Sequence, residues 1–254
     1  MADHGKYFSA PMVRALLSGT KTQTRRVLNP QPAAWAEAIE FGPYKGYGKA
    51  RSLIQRTVDD QRQTSAGRLS IAAGDRLWVR EAWRTHRDHD DIAPRDLLDH
   101  SRCSIISYEA DETSFEWLGR QRAGRHMPRW ASRLTLIVTD VRVQRLQDIS
   151  EEDARAEGAT RRPNCSGFMS RHDGWSMDWS PVGSPSRWAR DGRALTEADI
   201  SLGSARMAFA SFINALHDPL WNQKGDGIFG ANPWVVAFTF TVHHQNIDAM
   251  ERAA

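Results

Sequence analysis

The sequence has little cysteine, and this scarcity excludes two kinds of site. Its 254 residues include only Cys103 and Cys165, which lie far apart and outside any CxxC pair. A disulfide framework needs more cysteines, and a cysteine-ligated metal needs closely spaced ones. The pattern is typical of a reducing compartment and predicts a cytoplasmic protein.

Several other common signals are missing. The first ten residues, MADHGKYFSA, hold no apolar run of the signal-peptide kind, and no stretch approaches ~18 uninterrupted apolar residues. The chain has no GxSxG, P-loop or GxGxxG motif. His86 and His89 lie in THRDHDD without a standard metal-binding partner motif. We therefore expect no membrane span, no nucleoside triphosphate or dinucleotide, no metal and no organic cofactor.

Charge is modest overall but unevenly distributed. The net charge is +3, whereas the segment from Leu118 to Arg145 holds seven arginines against one acid, Asp140. A local surplus of this kind suits phosphate or another polyanion. Arginines on outward strand faces that are merely solvated would give the same composition, so both interpretations stay open.

Periodicity and turn residues predict a mixed set of short elements. Ser9, Pro11 and Gly19 are a helix cap, a first-turn proline and a terminating glycine around PMVRALL. Further helices are predicted at AAWAEAIE, SEEDARAE and SARMAFASFINALH, and strands at residues 22–28 and 103–108 and in GDRLWVREAW, RLTLIVTDVRV and NPWVVAFTFTV. Because the strands do not alternate regularly with long helices, we expect an α+β fold around a small β-barrel.

The predicted organisation is one domain over residues 1–254. Three stretches rich in polar, glycine or proline residues, at 29–72, 84–102 and 159–203, are interpreted as insertions. Residues 245–254 are predicted to form a flexible tail. The sequence leaves the oligomeric state open.

Four blocks of the sequence carry a family resemblance. GTKTQTRRVLNPQP, GDRLWVREAW, MPRWASRLTLIVTDVRVQRLQDISEEDARAEG and NPWVVAFTF together resemble the ASCH family, in particular its long phage and prophage members. The resemblance implies a PUA-like β-barrel with a cleft that accepts RNA or a nucleoside. The three insertions lie outside the small family members and inherit nothing from them.

The resemblance also implies an activity and three catalytic residues. The best-defined activity of the family is hydrolysis of N4-acetylcytidine, with a lysine as proton acceptor, a threonine as nucleophile and a glutamate as proton donor. Carried over by motif, these roles fall on Lys21 and Thr24, through G-x-K-x-x-T, and on Glu157 in the later helix. A shift of one helical turn would choose Asp153 instead of Glu157.

The chemistry of these residue types fits amide hydrolysis, which needs a nucleophile, a base and an acid. Lysine is a poor base at its ordinary pKa of about 10.4, but burial and the charges of Arg25 and Arg26 would lower that pKa. In a regular strand residues 21 and 24 face opposite sides. The two side chains therefore converge only if Lys21 lies in the turn after Gly19.

Two alternatives stay open beside this hypothesis. Lys21 could cap the preceding helix, Glu157 could be a solvated last-turn residue, and Thr24 could be an ordinary strand residue. The protein could also be a non-catalytic RNA-binding module or a ribonuclease with arginines on phosphates and tryptophans on bases, although the tryptophans could equally be core residues. The residues assigned to substrate or RNA binding are Arg25, Arg26, Arg80, Trp78, Arg129, Trp130 and Arg133.

Overall fold

A computed structural model of the protein describes residues 1–41, 52–59, 61–97, 106–162, 174–177, 202–217 and 227–251. Over these ranges the chain is a mixed α+β protein with more strands than helices. Both cysteines, most of the predicted insertion 159–203 and the first half of the predicted strand 103–108 lie outside the described residues. No helix in the ranges given above has the length and apolar character that crossing a membrane requires.

The strands and helices follow one another as short elements along the chain. The strands are β1 (Asp3–Tyr7), β2 (Gln23–Val27), β3 (Ala38–Phe41), β4 (Ser52–Arg56), β5 (Gln63–Arg68), β6 (Arg76–Arg80), β7 (Trp83–Arg84), β8 (Ser107–Tyr108), β9 (Thr135–Arg145), β10 (Thr160–Arg162), β11 (Gly174–Ser176) and β12 (Trp234–His243). The α-helices are α1 (Ala10–Leu17), α2 (Glu151–Ala156), α3 (Ala205–His217), α4 (Gly227–Ala231) and α5 (Ile247–Glu251).

Local sequence signals set the ends of the two helices nearest the motif residues. Ser9 precedes α1 with a proline in the first turn, and Gly19 follows it with φ +72°. The Ser150 hydroxyl accepts a hydrogen bond from the Asp153 N–H at the start of α2, and Gly158 follows that helix with φ +110°. Positive φ favours glycine because it has no Cβ. The predicted bounds of both helices are confirmed.

The helix predicted at AAWAEAIE is wrong. Its second half is β3, which pairs antiparallel with β4, and β4 pairs with β5 to make a three-stranded sheet. The register places Ala38 opposite Arg56 and Phe41 opposite Leu53. Strand pairing with a distant segment outweighs the modest helix propensity of a short alanine-rich stretch. The predicted insertion 29–72 therefore contains a sheet of its own.

The described part of the predicted tail is structured rather than free. Residues Ile247–Glu251 form α5, and the Ile247 side chain is fully buried. The Asn246 amide donates hydrogen bonds to the carbonyl oxygens of Arg129, Trp130 and Ser132 at 2.7–3.2 Å. One buried apolar side chain and one amide with three acceptors hold this segment in place.

The chain divides into two compact units. The first unit comprises residues 1–20, 74–138 and 240–254, and the second unit comprises residues 21–73 and 139–239. The prediction of one domain over the whole chain stays a prediction.

In the first unit the strand order is β1-β6-β9, with β1 parallel to β6 and β6 antiparallel to β9. The register pairs Gly5 with Trp78 and Tyr7 with Arg80. A Cβ on Gly5 would lie 2.7 Å from the Trp78 ring and 2.9 Å from Arg80 Cδ, so only glycine lets these two side chains lie across β1. The alternating buried residues of β6 and β9 form its core, among them Leu77, Val79, Leu136 and Val138.

In the second unit the strand order is β9-β12-β2, and β12 runs antiparallel to β2. The register pairs Phe238 with Thr24 and Ala237 with Arg25. One apolar cluster joins α2 and α3 to the strands; its buried members include Leu146, Ile149, Ala154, Ala208, Phe209, Ile213 and Val235. This packing brings the end of α2 to the start of β2.

Candidate active site

Lys21 lies immediately before β2, where the chain is tied to α2. The Thr22 N–H donates to the Ala156 carbonyl oxygen at 2.8 Å. The Lys21 side chain is fully buried, and its Nζ donates to Glu157 Oε2 at 2.7 Å and to the Glu157 main-chain oxygen at 2.9 Å. Two motif residues that are 136 positions apart are therefore in direct contact. The hydrogen bonds of Lys21 go to Glu157 at the end of α2, not to the last carbonyl oxygens of the preceding helix α1, as the capping alternative requires.

Glu157 is enclosed at the end of α2, with only 3% of its surface exposed. Its Oε2 accepts from Lys21, and its Oε1 accepts from Arg25 Nη1 at 3.1 Å. A buried carboxylate is stable only when its oxygens have such partners. Glu157 is thus not the solvated last-turn residue of the alternative interpretation.

Arg25 bridges two carboxylates from inside the protein. Besides its bond to Glu157, its Nη2 donates to Asp153 Oδ2 at 2.7 Å. Gln23, on the same side of β2, donates from Nε2 to Asp153 Oδ1 at 3.2 Å. We call Lys21, Gln23, Arg25, Asp153 and Glu157 the buried charge network. Arg25 was predicted to contact substrate or RNA, but its side chain is 1% exposed and supports the network instead.

The two candidate acids, Glu157 and Asp153, have different hydrogen-bond partners. Lys21 contacts Glu157, whereas Asp153, one turn earlier in α2, receives its hydrogen bonds from Arg25, Gln23 and the Arg142 Nη2 at 2.9 Å. Glu157, and not Asp153, is therefore the carboxylate that accepts the hydrogen bond of Lys21. Asp153 holds Arg25 from the other side.

The network changes the protonation of its members. Burial lowers the pKa of the Lys21 amine, the charges of Arg26 and Arg25 lower it further, and the Glu157 carboxylate acts in the opposite direction. A lowered lysine pKa favours the neutral amine, which can accept a proton. Burial would raise the pKa of Asp153, but the bond from Arg142 and the charge of Arg25 hold it below its ordinary value.

Thr24 is not joined to the Lys21–Glu157 pair. It is buried in β2 opposite Phe238, with the strand parity opposite to that of Gln23 and Arg25. Within the described part of the chain, no hydrogen bond connects its hydroxyl to Lys21 or Glu157. The predicted convergence of lysine and threonine is therefore not seen as a contact.

Arg26 has the same parity as Thr24 and is partly buried. Burial lowers the pKa of Arg26, while the Glu157 charge raises it. Burial and the Arg26 charge also lower the pKa of His217 at the end of α3. The sequence gives no signal for His217, because nothing in the helical pattern of α3 shows that its last residue lies within range of Arg26.

Arg129, in the first unit, has acidic partners. Its Nε donates to Asp248 Oδ1 at 2.8 Å and its Nη2 to Asp3 Oδ2 at 2.6 Å. Trp130 and Trp78 are partly buried and pack on a cluster around Trp83, as the core interpretation of the tryptophans expects.

Arg133 also has acidic partners, and an aromatic ring lies against its guanidinium. Its Nε and Nη2 each donate to one oxygen of Glu81 at 3.0 Å, its Nη1 donates to Asp111, and its guanidinium lies 3.9 Å from the centre of the Tyr108 ring. Burial raises the pKa of the Tyr108 phenol to about 12. The positive charge of both predicted RNA-binding arginines is neutralised locally.

Arg80 differs from these two arginines. Its guanidinium carbon lies 4.9 Å from the centres of the Tyr7 and Trp78 rings, and its Nη2 donates to the Arg125 carbonyl oxygen. In the described ranges no set of three or more His, Cys, Asp and Glu side chains is arranged to hold a metal ion.

Comparison with known proteins adds no relative. No protein-family model, no curated protein and no solved structure shows a significant match to this chain.

Proposed function

We propose that the protein is an ASCH-family amidohydrolase that removes an acyl group from a modified nucleobase or nucleoside of the N4-acetylcytidine type. We also propose that its fold is the PUA-like β-barrel that the family resemblance implies. The observation that carries it is the buried contact between Lys21 Nζ and Glu157 Oε2 at 2.7 Å. The motif resemblance selects these two residues, and nothing in their sequence separation requires them to meet.

In the proposed reaction Lys21 accepts one proton and Glu157 donates one. Lys21, as neutral amine, takes the proton of the Thr24 hydroxyl while the Thr24 oxygen attacks the acyl carbon and the C–N bond breaks. Glu157, as the proton donor, gives a proton to the departing amine nitrogen. The 2.7 Å contact then lets the proton pass from Lys21 to Glu157. Water hydrolyses the acyl ester and restores Thr24.

Catalysis through Thr24 sets a geometric requirement. A base must lie within about 3 Å of the proton that it accepts, so bound substrate has to bring the Thr24 hydroxyl and Lys21 together. If Thr24 instead positions a water molecule, that water is the nucleophile and Lys21 accepts its proton directly. Both routes need the lysine and the glutamate.

The alternative is a non-catalytic RNA-binding module or a ribonuclease. The ion pairs of Arg129 and Arg133 make this alternative less favourable. Arg129 and Arg133 each bind two carboxylates. Phosphate contacts would have to displace these partners, and every displaced carboxylate would repel the phosphate. Arg129 and Arg133 therefore offer less charge to a phosphate than the composition of the arginine-rich segment suggests.

The test is hydrolysis of N4-acetylcytidine by the purified protein, followed as cytidine by chromatography. We expect product with the wild type and a loss of at least about 100-fold with Lys21→Met or Glu157→Gln, since a general acid or base contributes about 10²–10⁴-fold. Lys6→Met is the matched control, because it makes the same chemical change at a lysine of β1, and we expect it to retain wild-type activity.

Folding is checked separately by circular dichroism and thermal unfolding. The double variant Lys21→Met/Glu157→Gln has no unpaired buried charge, so it should fold even if the single variant does not. No cytidine from folded wild-type protein would overturn this substrate assignment. RNA binding that weakens steeply with salt, and is unchanged in Thr24→Ala, would favour the binding module instead.

A further inference from the structure

The first unit contains a cleft that the proposed reaction does not use. It has a volume of about 480 Å³, which lies in the range of small-molecule sites. One wall is the end of β1 and the start of α1, and the other comes from β6 and the segment before Met127. The lining residues are Tyr7, Phe8, Ser9, Ala10, Arg80, Ala82, Gln121, Ala123 and Gly124.

Arg80 is the only charged residue among those lining residues, and the sheet holds it in place. Tyr7 and Arg80 are register partners in β1 and β6, so their side chains project from the same face. The guanidinium contacts the Tyr7 ring and the Trp78 ring, and Gly5 leaves room for both Trp78 and Arg80. An arginine fixed in this way loses little conformational freedom when a ligand binds.

The charge of Arg80 has no counter-charge among the described residues. Arg76, four positions earlier on β6, binds both oxygens of Asp3 at 2.8 Å. In the part of the chain that the structure describes, Arg80 donates to the Arg125 carbonyl oxygen alone, and its Nε is buried without a hydrogen-bond partner. A partly buried cation with an unsatisfied donor on a cleft wall favours an anionic ligand.

The other lining groups add polar contacts and a flat surface. The Ser9 hydroxyl makes no capping bond to α1, and Gln121 is exposed. Gly124 packs closely against the backbone of Arg80 and Glu81. A Cβ at Gly124 would lie 3.0 Å from the Glu81 carbonyl carbon and 3.1 Å from the Arg80 carbonyl oxygen. The Tyr7 ring is 49% exposed while Arg80 lies against it, so one part of it can stack on a planar group.

We propose that this cleft binds a small molecule that carries a phosphate monoester and a planar ring. The phosphate lies on the Arg80 guanidinium, within reach of Ser9 and Gln121, and the ring lies against Tyr7. Guanidinium groups match phosphate oxygens in charge and in hydrogen-bond geometry. The proposal is independent of the hydrolase assignment, because all its residues belong to the first unit and the buried charge network belongs to the second.

The test is calorimetric titration of the full-length protein with phenyl phosphate, inorganic phosphate and phenol. We expect phenyl phosphate to bind at least about tenfold more tightly than either fragment, because it uses both contacts. Arg80→Gln should weaken phenyl phosphate and inorganic phosphate at least about tenfold each. Tyr7→Ala should weaken phenyl phosphate clearly more than inorganic phosphate, because it removes the stacking surface and only one of the two rings that hold Arg80.

Arg87→Gln is the matched control, because it removes the same charge from an exposed arginine of the same unit that does not line the cleft. We expect it to bind like the wild type. Equal losses in Arg80→Gln and Arg87→Gln would mean that net charge alone attracts the phosphate, and would overturn the proposal. Failure of phenyl phosphate to bind folded wild-type protein at millimolar concentration would also overturn it.

Discussion

Arginine–carboxylate pairs occur in both units, but they differ in how far solvent reaches them. In the second unit, the Lys21, Arg25 and Glu157 side chains are at most 4% exposed. In the first unit, Arg133 and Arg129 are 23% and 34% exposed while they contact their acids. Attraction between charges grows as water is excluded, and so does the cost of leaving one unpaired. The same residue types are therefore expected to have unequal energetic effects.

The largest effect should follow from breaking the pair in the second unit. Lys21→Met removes the cation that contacts the buried Glu157 carboxylate at 2.7 Å and leaves Arg25 as its hydrogen-bonded partner, and removing one member of a buried pair costs about 3–5 kcal/mol. We expect a loss of this size in the free energy of unfolding measured with urea at pH 7. The variant Lys21→Met/Glu157→Gln should lose less, since it buries no unmatched carboxylate.

That difference between the single and the double variant is the decisive comparison. If the double variant loses as much as the sum of the two single variants, Lys21 and Glu157 do not interact energetically. The 2.7 Å contact would then not stabilise the fold, and the site would not be built around it.

The buried pair shows what a sequence can predict and what it cannot. The G-x-K-x-x-T motif and the later helix selected Lys21 and Glu157, and Ser150 and Gly158 predicted the ends of that helix. The role of Arg25 was missed, although β-strand parity places it on the same side as Gln23. Its true partners, Asp153 and Glu157, depend on the position of α2 beside β2, which long-range packing fixes and no local pattern encodes.

The arginine-rich segment shows the converse. Its composition predicted a basic surface, but Asp3, Glu81, Asp111 and Asp248 lie far away in sequence or outside the segment. Local charge counting cannot include such partners. The helix predicted at residues 33–40 was also wrong, because the pairing of β3 with β4 decides the conformation of its second half and gives little hydrophobic signal in the local sequence.

A smaller effect is expected from the matching change in the first unit. Arg133→Gln removes a guanidinium that donates to both oxygens of Glu81, and hydrogen bonds to charged groups are worth about 1.5–3 kcal/mol. Burial raises the pKa of Glu81, with Arg133 opposing this shift, so the variant carboxyl can take up a proton to relieve its burial. Urea unfolding at pH 7 should give a loss below that of Lys21→Met. An equal or greater loss would contradict the solvent-exposure argument.

Acid should weaken the buried charge network through Asp153. Its pKa is lowered in the folded state from an ordinary value of 3.8, so between these two values the unfolded chain binds more protons. Stability contributed by this carboxylate is present above pH 3.8 and is lost as pH falls through the lowered pKa. Asp153→Asn should therefore show a shallower decline in unfolding free energy from pH 5 to pH 2 than the wild type. Parallel declines would mean that Asp153 is not linked to folding.

The smallest effect should come from Arg142, which lies on the exposed edge of the same network. Its side chain is 43% exposed, and it contacts Asp153 at 2.9 Å and Asp140 at 3.2 Å. Exposed ion pairs contribute about 0–1 kcal/mol, because water screens the charges and holding a long side chain costs entropy. Arg142→Ala should cost less than about 1 kcal/mol in urea unfolding, and the cost should shrink further in 1 M salt. Arg25 and Gln23 still hold Asp153 in this variant, so hydrolase activity should change little. A loss in unfolding free energy as large as that of Lys21→Met would contradict this expectation. It would mean that the exposed Arg142 orients Asp153, and through Asp153 also Arg25 and Glu157. The network would then depend on its exposed edge as strongly as on its buried centre.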